Sequence, residues 1–243
     1  MRTVLITGSS RGIGRGCAVA FAKAGYNIII NYKENDAAAE QVVKAVSEFS
    51  RCIKIRADVR CEKQVDKLYA ESKKAFGTID TVINNAGINI GKLLIDSSVC
   101  DYDTVVDTNI KGAFLVSRAF LPDMYSNRFG RIINVSSILG QCGAAGEVVY
   151  SASKAALIGF TKALSKESAP MGVTVNAVTP GLIDTDMIKD IPDGIKKGLI
   201  ENMMVGRIGQ PLDIACACEF LARRESEYIS GQVLGINGEW VLV

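Results

Sequence analysis

Residues 3 to 14 of the chain are Thr3-Val4-Leu5-Ile6-Thr7-Gly8-Ser9-Ser10-Arg11-Gly12-Ile13-Gly14. The first five have the apolar pattern of a buried strand, and helical spacing begins near Gly14 and continues to Lys23. The turn between them has the spacing G-x-x-x-G-x-G. Such a turn lets a phosphate approach the backbone and the helix N-terminus, although a plain tight turn has a similar composition. Its position between a strand and a helix favours the phosphate-binding interpretation.

The same alternation of short apolar runs and helical patterns continues along the whole chain. Strands are predicted at residues 3–7, 27–31, 52–55, 81–84, 131–135, 173–178 and 232–236, with helical spacing at 14–23, 37–49 and 62–76. Runs that are apolar on both faces suit a sheet covered by helices on each side. We therefore predict an α/β fold: one domain over residues 1–243, with a doubly wound parallel sheet of about seven strands. The exception is 180–209, where Pro, Gly and Asp interrupt the pattern and predict a mobile flap over a site.

Composition narrows the possible chemistry. The chain has 243 residues, 48% of them hydrophobic, which is enough for one large core. It contains no histidine, so acid–base chemistry has to come from Tyr, Lys, Asp or Glu. The seven cysteines form neither a Cys-x-x-Cys pair nor a metal-binding spacing, and we expect no metal.

Charge and hydropathy predict where the protein works. A net charge of +2 without a basic run argues against nucleic acid as a partner. No apolar run is long enough to span a bilayer, and the chain enters its first strand without a signal peptide. Scattered, unpaired cysteines suit a reducing compartment. We expect a soluble, cytoplasmic protein with no membrane contact.

The end of the second predicted strand bears on which nucleotide the glycine turn binds. A chain that binds NAD usually has Asp or Glu there to hold the ribose 2′-hydroxyl. Here the strand ends Asn31-Tyr32-Lys33, and the first acid, Glu34, comes one residue later. Arg11 in the turn and Lys33 are placed to meet a 2′-phosphate, although both also suit solvated surface positions. The pattern favours NADP(H).

A second segment has the residues for proton transfer. The predicted strand at 131–135 runs into Ser136-Ser137, and a loop with three glycines leads to a helix that begins near Tyr150. Tyr150 and Lys154 lie on one helix face because they are four residues apart. Lowering the pKa of a phenol from about 10 to about 7 needs on the order of 4 kcal/mol. One ammonium at about 4 Å supplies that much at an effective dielectric of about 20. Alone, the segment also suits an ordinary helix with Tyr and Lys facing solvent, which is the commoner case.

Five motifs in order make the chain resemble the short-chain dehydrogenases/reductases over essentially its whole length. They are Thr7-Gly8-Ser9-Ser10-Arg11-Gly12-Ile13-Gly14, Asn84-Asn85-Ala86-Gly87, Asn109-Ile110-Lys111-Gly112, the set Ser137, Tyr150 and Lys154, and Pro180-Gly181. The resemblance implies a Rossmann-like fold and a catalytic set of Asn109, Ser137, Tyr150 and Lys154. It implies that Tyr150 gives a proton to a carbonyl oxygen while hydride arrives from a nicotinamide.

The resemblance also implies roles for the neighbours of Tyr150. Lys154 would lower the pKa of Tyr150 and hold the nicotinamide ribose. Ser137 would bind the substrate oxygen, and Ser136 would be a structural hydroxyl at the strand end. Asn109 would anchor a water that links Lys154 to solvent.

The cofactor site that the resemblance implies draws on several loops. Asp58 and Val59 would contact the adenine, and Thr185 the carboxamide or pyrophosphate. The full set of predicted cofactor-binding residues is Gly8, Ser10, Arg11, Gly12, Ile13, Gly14, Tyr32, Lys33, Asp58, Val59, Asn85, Ala86, Gly87, Tyr150, Lys154, Pro180, Gly181, Ile183 and Thr185.

Within the family, the chain is most similar to the group that reduces 3-oxoacyl chains on acyl carrier protein in fatty-acid synthesis. The stretch Ile183-Asp184-Thr185-Asp186-Met187 and the ending Gly231-Gln232-Val233-Leu234 carry this similarity. It implies carrier contact through Arg128, which we expect near the substrate mouth together with Lys92. Two alternatives remain: an NADP(H)-dependent reductase of free ketones, polyols or steroids, and a non-catalytic NADPH-binding sensor or assembly subunit.

The resemblance also implies a homotetramer. The helices predicted at about 103–121 and 150–168 carry apolar residues on more than one face. They would form one interface, and the helix near 213–221 with the C-terminal strand would form another.

Overall fold

The structure is a computed structural model that describes residues 1–189 and 191–239. Within these residues a sheet of seven strands has the order β3-β2-β1-β4-β5-β6-β7, and every strand pair is parallel. The strands are β1 Thr3–Ile6, β2 Asn27–Tyr32, β3 Cys52–Arg56, β4 Thr81–Asn84, β5 Gly130–Val135, β6 Val173–Pro180 and β7 Val233–Ile236. The order reverses between β1 and β4, as in a Rossmann-like, doubly wound α/β fold. The predicted fold class is confirmed.

Helices connect consecutive strands. They are α1 Gly12–Lys23, α2 Asp36–Ser47, α3 Glu62–Phe76, α4 Val99–Val106, α5 Gly112–Ser126, α6 Leu139–Cys142, α7 Val148–Ser168, α8 Asp193–Glu201 and α9 Pro211–Ala222. None of the helices in the described ranges combines the length and the apolar character needed to cross a bilayer.

Two apolar cores lie on opposite faces of the sheet. Val4 and Ile6 of β1 pack on one face with α1, α2 and α9, whereas Leu5 between them packs on the other with α3, α5 and α7. Successive side chains of a strand point to opposite faces, so a continuous apolar run fills both cores. The carboxyl ends of all strands meet at one edge of the sheet, where the loops with the predicted site residues emerge.

The segments around the sheet differ from the sequence prediction in two places. The helix predicted at 103–121 is α4, a π-helical turn Asp107–Lys111 and α5, because an extra residue is accommodated at Asn109. The predicted flap at 180–209 contains α8, so it is less irregular than its Pro, Gly and Asp content indicates. Its two ends are joined: Gly209 N donates to Leu182 O at 3.0 Å, and Asp184 N donates to Gly209 O at 2.8 Å. Residue 190 of this segment and residues 240–243 of the predicted domain lie outside the described residues.

Candidate active site

The glycine turn after β1 forms a close-packed cradle. Gly8 and Gly12 have φ angles of 61° and 54°, in the left-handed region that favours glycine. A Cβ on Gly14 would lie 2.6 Å from Asn85 Nδ2 and 2.7 Å from Gly8 O, so no side chain fits there. Arg11 caps α1 without a side-chain hydrogen bond, and the first turn of α1 has no acid. The backbone N–H groups at this helix end therefore suit an anionic group.

The loops after β1 and β4 are tied together at this cradle. Thr7 Oγ1 accepts hydrogen bonds from the N–H groups of Asn85 and Ala86, both at 3.0 Å. Asn85 Nδ2 donates back to Thr7 O at 2.8 Å and to Gly8 O at 3.1 Å. Thr7 has no role that its sequence motif indicates, because its place at the junction depends on the pairing of β1 with β4.

The predicted cations at the cofactor edge have acidic partners. Arg11 lies 3.6 Å from the Asp186 carboxylate, and both side chains are exposed. Lys33 Nζ lies 2.9 Å from Glu34 and 3.8 Å from Asp58. Hydrogen bonds from Arg60 hold the Asp58 carboxylate and lower its pKa. The Asp58 carboxylate is therefore paired mainly with Arg60 and only loosely with Lys33.

Two side chains at this edge differ from what the sequence indicates. Tyr32 is buried and its hydroxyl bonds to Asp36 on α2, so the phenol is directed to that helix. Arg56, which the sequence analysis did not select, pairs in register with Tyr32, and its Nε donates to Lys33 O at 2.9 Å. A third cation therefore stands beside Lys33. Only the register of β2 with β3 indicates that Arg56 lies beside Lys33.

The two serines at the end of β5 have different surroundings. Ser136 Oγ donates to the backbone carbonyl of Lys154 at 2.8 Å, which ties the strand end to α7. Ser137 Oγ accepts from Leu139 N at 3.2 Å, and the Ser137 hydroxyl is close enough to Tyr150 to act on its pKa. Ser137 and Tyr150 thus lie side by side at the carboxyl end of the sheet.

The electrostatics of Tyr150 differ from the sequence prediction. Burial raises the pKa of Tyr150 to about 12, while the hydrogen bond with Ser137 acts in the opposite direction and the charge of Glu147 adds to the increase. Burial lowers the pKa of Lys154 to about 8. The expected lowering of the Tyr150 pKa by Lys154 is wrong for this structure, because burial of the phenol dominates its pKa and Lys154 is not among the groups that shift it.

Lys154 and Asn109 meet at the loop after β4. Asn109 is buried; its Nδ2 donates to Ile88 O and Ser153 Oγ, both at 3.0 Å, and its Oδ1 accepts from Ile88 N at 2.9 Å. A Cβ on Gly87 would lie 3.2 Å from Lys154 Nζ and 3.3 Å from Asn109 Oδ1. Gly87, Asn109 and Lys154 are therefore neighbours, and the π-helical turn directs Asn109 to them.

The loop after β6 approaches the cradle from the other side. A Cβ on Gly12 would lie 3.3 Å from Thr185 Cγ2, so Thr185 lies over the start of α1. Gly181 packs so closely on Asn237 that a Cβ there would lie 2.8 Å from its Cα. Val59 is turned inward, since a Cβ on Gly112 would lie 2.7 Å from Val59 Cγ2. The loops after β1 to β6 and the helical segments that follow them thus bring the predicted catalytic and cofactor-binding residues to one edge of the sheet.

Arg128 lies elsewhere. It precedes β5 at the amino edge of the sheet, has a φ of 47°, and its Nη2 donates to Pro170 O at 3.0 Å. Ser137 follows the other end of β5, on the order of 20 Å away. The expectation that Arg128 borders the mouth of its own site is wrong, since nearness in sequence here spans a whole strand. Lys92 does lie on the site side, where its N donates to Gly146 O at 2.8 Å.

Comparison with known proteins agrees with this fold and arrangement. The short chain dehydrogenase family matches residues 2–196, and the chain belongs to that family. Among curated relatives, a 3-oxoacyl-[acyl-carrier-protein] reductase of Staphylococcus epidermidis is 40% identical over 242 residues, 98% of either chain. One from Synechocystis is 38% identical, covering 99% of this chain and 97% of the relative. One from Aquifex aeolicus is 39% identical, covering 96% of this chain and 95% of the relative.

Proposed function

We propose that this protein reduces the 3-oxo group of an acyl thioester on acyl carrier protein to the 3-hydroxy group, with NADPH as the hydride donor. The observation that carries the proposal is the pairing of Ser137 with Tyr150 beside Lys154 at the edge that also holds the glycine cradle. The names of the relatives at 38–40% identity over nearly the whole chain supply the substrate class.

The glycine cradle fits the diphosphate of a dinucleotide. Gly8 and Gly12 hold the left-handed backbone of the turn, and Gly14 leaves no room for a side chain. We assign the diphosphate to the N–H groups of this turn and the nicotinamide half to the neighbourhood of Gly87, Lys154 and Thr185. When bound, the cofactor supplies the hydride.

Ser137 and Tyr150 hold the substrate carbonyl. Both hydroxyls can donate to one oxygen, and both residues are mostly buried, so competing water is limited. With a pKa raised to about 12, Tyr150 keeps its proton at neutral pH. It is therefore ready to give that proton to the alkoxide that forms when hydride reaches the carbonyl carbon, because an alkoxide is a stronger base than a phenolate. A protonated Tyr150 is the state that reduction requires.

Lys154 and Asn109 return a proton to Tyr150 after it has protonated the substrate. Lys154 Nζ donates to Val135 O at 2.8 Å and lies 5.7 Å from the centre of the Tyr150 ring. With a pKa near 8, it carries an exchangeable proton close to physiological pH. Asn109 Oδ1 has a second lone pair beyond its bond to Ile88, available for a water between Lys154 and solvent.

Cations at the ends of β2 and β3 support NADPH over NADH. Lys33 and Arg56 share this edge, whereas Arg11 in the glycine turn is paired with Asp186 on the loop after β6 and would turn from it to meet a 2′-phosphate. The acids nearby are already paired, Glu34 with Lys33 and Asp58 with Arg60. A 2′-phosphate would replace Glu34 and Asp186 as the partner of Lys33 and Arg11, with charge-assisted hydrogen bonds.

We further propose that the segment 180–209 closes over the acyl chain. Met187, Ile195 and Met204 on it are 52%, 57% and 72% exposed. Apolar side chains presented in this way suit an acyl chain bound beneath them. The joined ends at Leu182 and Gly209 allow the segment to move as one unit.

Assembly as a homotetramer is part of the proposal. Phe114 on α5 is exposed, as are Phe220 on α9 and Leu234 on β7. Phe114 belongs to the first predicted interface, and Phe220 and Leu234 belong to the second. Because Arg128 lies at the amino edge of the sheet, carrier contact through it would serve the site of another subunit.

A spectrophotometric assay tests the activity. NADPH oxidation is followed with acetoacetyl-CoA and with a panel of simple ketones. Turnover of the thioester well above that of the ketones supports the proposal, whereas the reverse order favours the free-ketone alternative. Binding of NADPH with no turnover of any compound would indicate the non-catalytic alternative.

A further inference from the structure

Glu147 and Asn89 form a pair beside Tyr150 that none of the proposed roles uses. Glu147 precedes α7, and its Oε1 accepts a hydrogen bond from Asn89 Nδ2 at 3.0 Å. An ionised carboxylate only accepts, so Asn89 has to present its NH₂ group to it and direct its own oxygen elsewhere. Glu147 Oε2 and Asn89 Oδ1 are both shielded from solvent, and neither has a hydrogen-bond partner in the described part of the chain.

The pair lies within the proposed catalytic set. Asn89 follows Ile88, whose backbone exchanges two hydrogen bonds with Asn109. Glu147 stands three residues before Tyr150, and its charge raises the Tyr150 pKa. Lys92 N donates to Gly146 O at 2.8 Å, which joins the loop that carries Asn89 to the loop that carries Glu147.

Nearly all buried polar atoms in folded proteins are paired, so two neighbouring acceptors without donors call for a partner from outside the chain, a water or a ligand group. Gly91 packs closely on the other oxygen of the carboxylate, since a Cβ there would lie 3.2 Å from Glu147 Oε1. The pair therefore offers two acceptors to a donor group from outside the chain.

We propose that Glu147 Oε2 and Asn89 Oδ1 turn toward a bound substrate and form a subsite that accepts hydrogen bonds from a donor group on it, next to the carbonyl held by Ser137 and Tyr150. This inference rests on the proposed function and specifies its substrate further. The donor is an N–H or O–H group. It comes either from the amide of the arm that carries the thioester or from a hydroxyl on the acyl chain.

Two matched substrate pairs test the subsite in the parent enzyme. The first compares the acetoacetyl thioester of N-acetylcysteamine, which has an amide N–H, with S-ethyl 3-oxobutanethioate, which has none. The second compares ethyl 4-hydroxy-3-oxobutanoate with ethyl 3-oxobutanoate. A hydrogen bond to a charged acceptor makes a preference of about ten-fold or more in kcat/KM expected for the donor-bearing member of one pair. The pair that shows it identifies the source of the donor.

Glu147→Gln is the decisive variant. Because Asn89 Nδ2 holds the Oε1 position, the new NH₂ group takes the Oε2 position and turns an acceptor into a donor. The donor preference should fall to about one, mainly through KM. The ratio within a pair cancels any change that the lost charge makes to Tyr150. Glu71→Gln, on the exposed side of α3, is the matched control and should keep the parent ratio.

Three outcomes overturn the inference. The first is that the parent uses both members of both pairs equally well. The second is that Glu147→Gln keeps the donor preference of the parent, and the third is that Glu71→Gln loses that preference as fully as Glu147→Gln does. Equal use by the parent would mean that water satisfies these acceptors. The parent comparison does not depend on whether the variant folds. If the parent reduces none of the four compounds, the proposed function fails. Calorimetric binding of the corresponding 3-hydroxy compounds then tests the donor preference without turnover.

Discussion

Lys154 Nζ lies 5.7 Å from the centre of the Tyr150 ring and donates a hydrogen bond to Val135 O at 2.8 Å. The ammonium is therefore held by the end of β5, and both side chains of the pair are buried. Burial favours the neutral form of each side chain, so it raises the pKa of Tyr150 to about 12 and lowers the pKa of Lys154 to about 8. The phenol remains a proton donor, and the amine is the group that titrates near neutral pH.

Tyr150→Phe should retain NADPH binding and lose nearly all turnover, because the ring stays and only the donated proton is removed. Coenzyme binding is measured by fluorescence titration and turnover by NADPH oxidation. Tyr228→Phe, a fully exposed phenol, is the control and should behave as the parent. If Tyr150→Phe kept more than a few per cent of the parent rate, another group would have to supply the proton.

The pH dependence of reduction should follow Lys154. Its ammonium is charged below a pKa of about 8 and neutral above it. We expect kcat/KM for NADPH, which reports the free enzyme, to fall as the pH rises through about 8. The residual activity of Lys154→Met should lack this inflection. A parent profile that is flat from pH 6 to 10 would remove Lys154 from the proton path.

The same pKa predicts an effect on stability. The folded-state pKa of Lys154 is lowered from 10.5 to about 8, so the buried charge costs stability fully below pH 8, and the cost disappears as the pH rises toward 10.5. Lys154→Met should raise the free energy of unfolding at pH 7 by on the order of 2 kcal/mol, after the lost bond to Val135 is subtracted. Denaturant titrations should show this gain shrinking between pH 8 and 10.5. A variant less stable than the parent at pH 7 would contradict the account.

Replacing Arg11 and Lys33 together by alanine should raise the KM for NADPH about ten-fold or more and that for NADH far less. The physical reason is the loss of two charge-assisted bonds to the 2′-phosphate. Arg51→Ala with Lys67→Ala removes two exposed cations elsewhere and should leave both constants unchanged. Equal use of both coenzymes by the parent enzyme would refute the assignment.

Phe114→Glu should weaken assembly, because it places a charge on the exposed apolar face of α5. Sedimentation velocity at micromolar concentration should show tetramers for the parent and smaller species for the variant. Phe49→Glu, at a partly exposed position outside both predicted interfaces, is the matched control. A monomeric parent would exclude the proposed tetramer.

The strands were predictable because a parallel sheet buried on both faces imposes continuous apolar runs, as in Asn27–Tyr32. The burial and the neighbours of the site residues were harder to predict from the sequence. The spacing of Tyr150 and Lys154 gives their common helix face, but their burial depends on the packing of distant elements, which reversed the expected pKa direction. Arg56 beside Lys33 depends on strand register, and the π-helical turn at Asn109 leaves no mark in the apolar periodicity.

The most direct test of the central claim follows the hydride. The protein is incubated with a 3-oxoacyl chain on acyl carrier protein and with NADPH that carries deuterium at the transferred position of its nicotinamide ring. Mass spectrometry then locates the label. We expect deuterium on carbon 3 of a 3-hydroxyacyl product, which the parent forms and which is nearly absent with Tyr150→Phe. Two results would contradict the proposed reduction. One is unchanged 3-oxoacyl carrier protein, and the other is a 3-hydroxyacyl product that carries no deuterium whichever face of the nicotinamide ring was labelled.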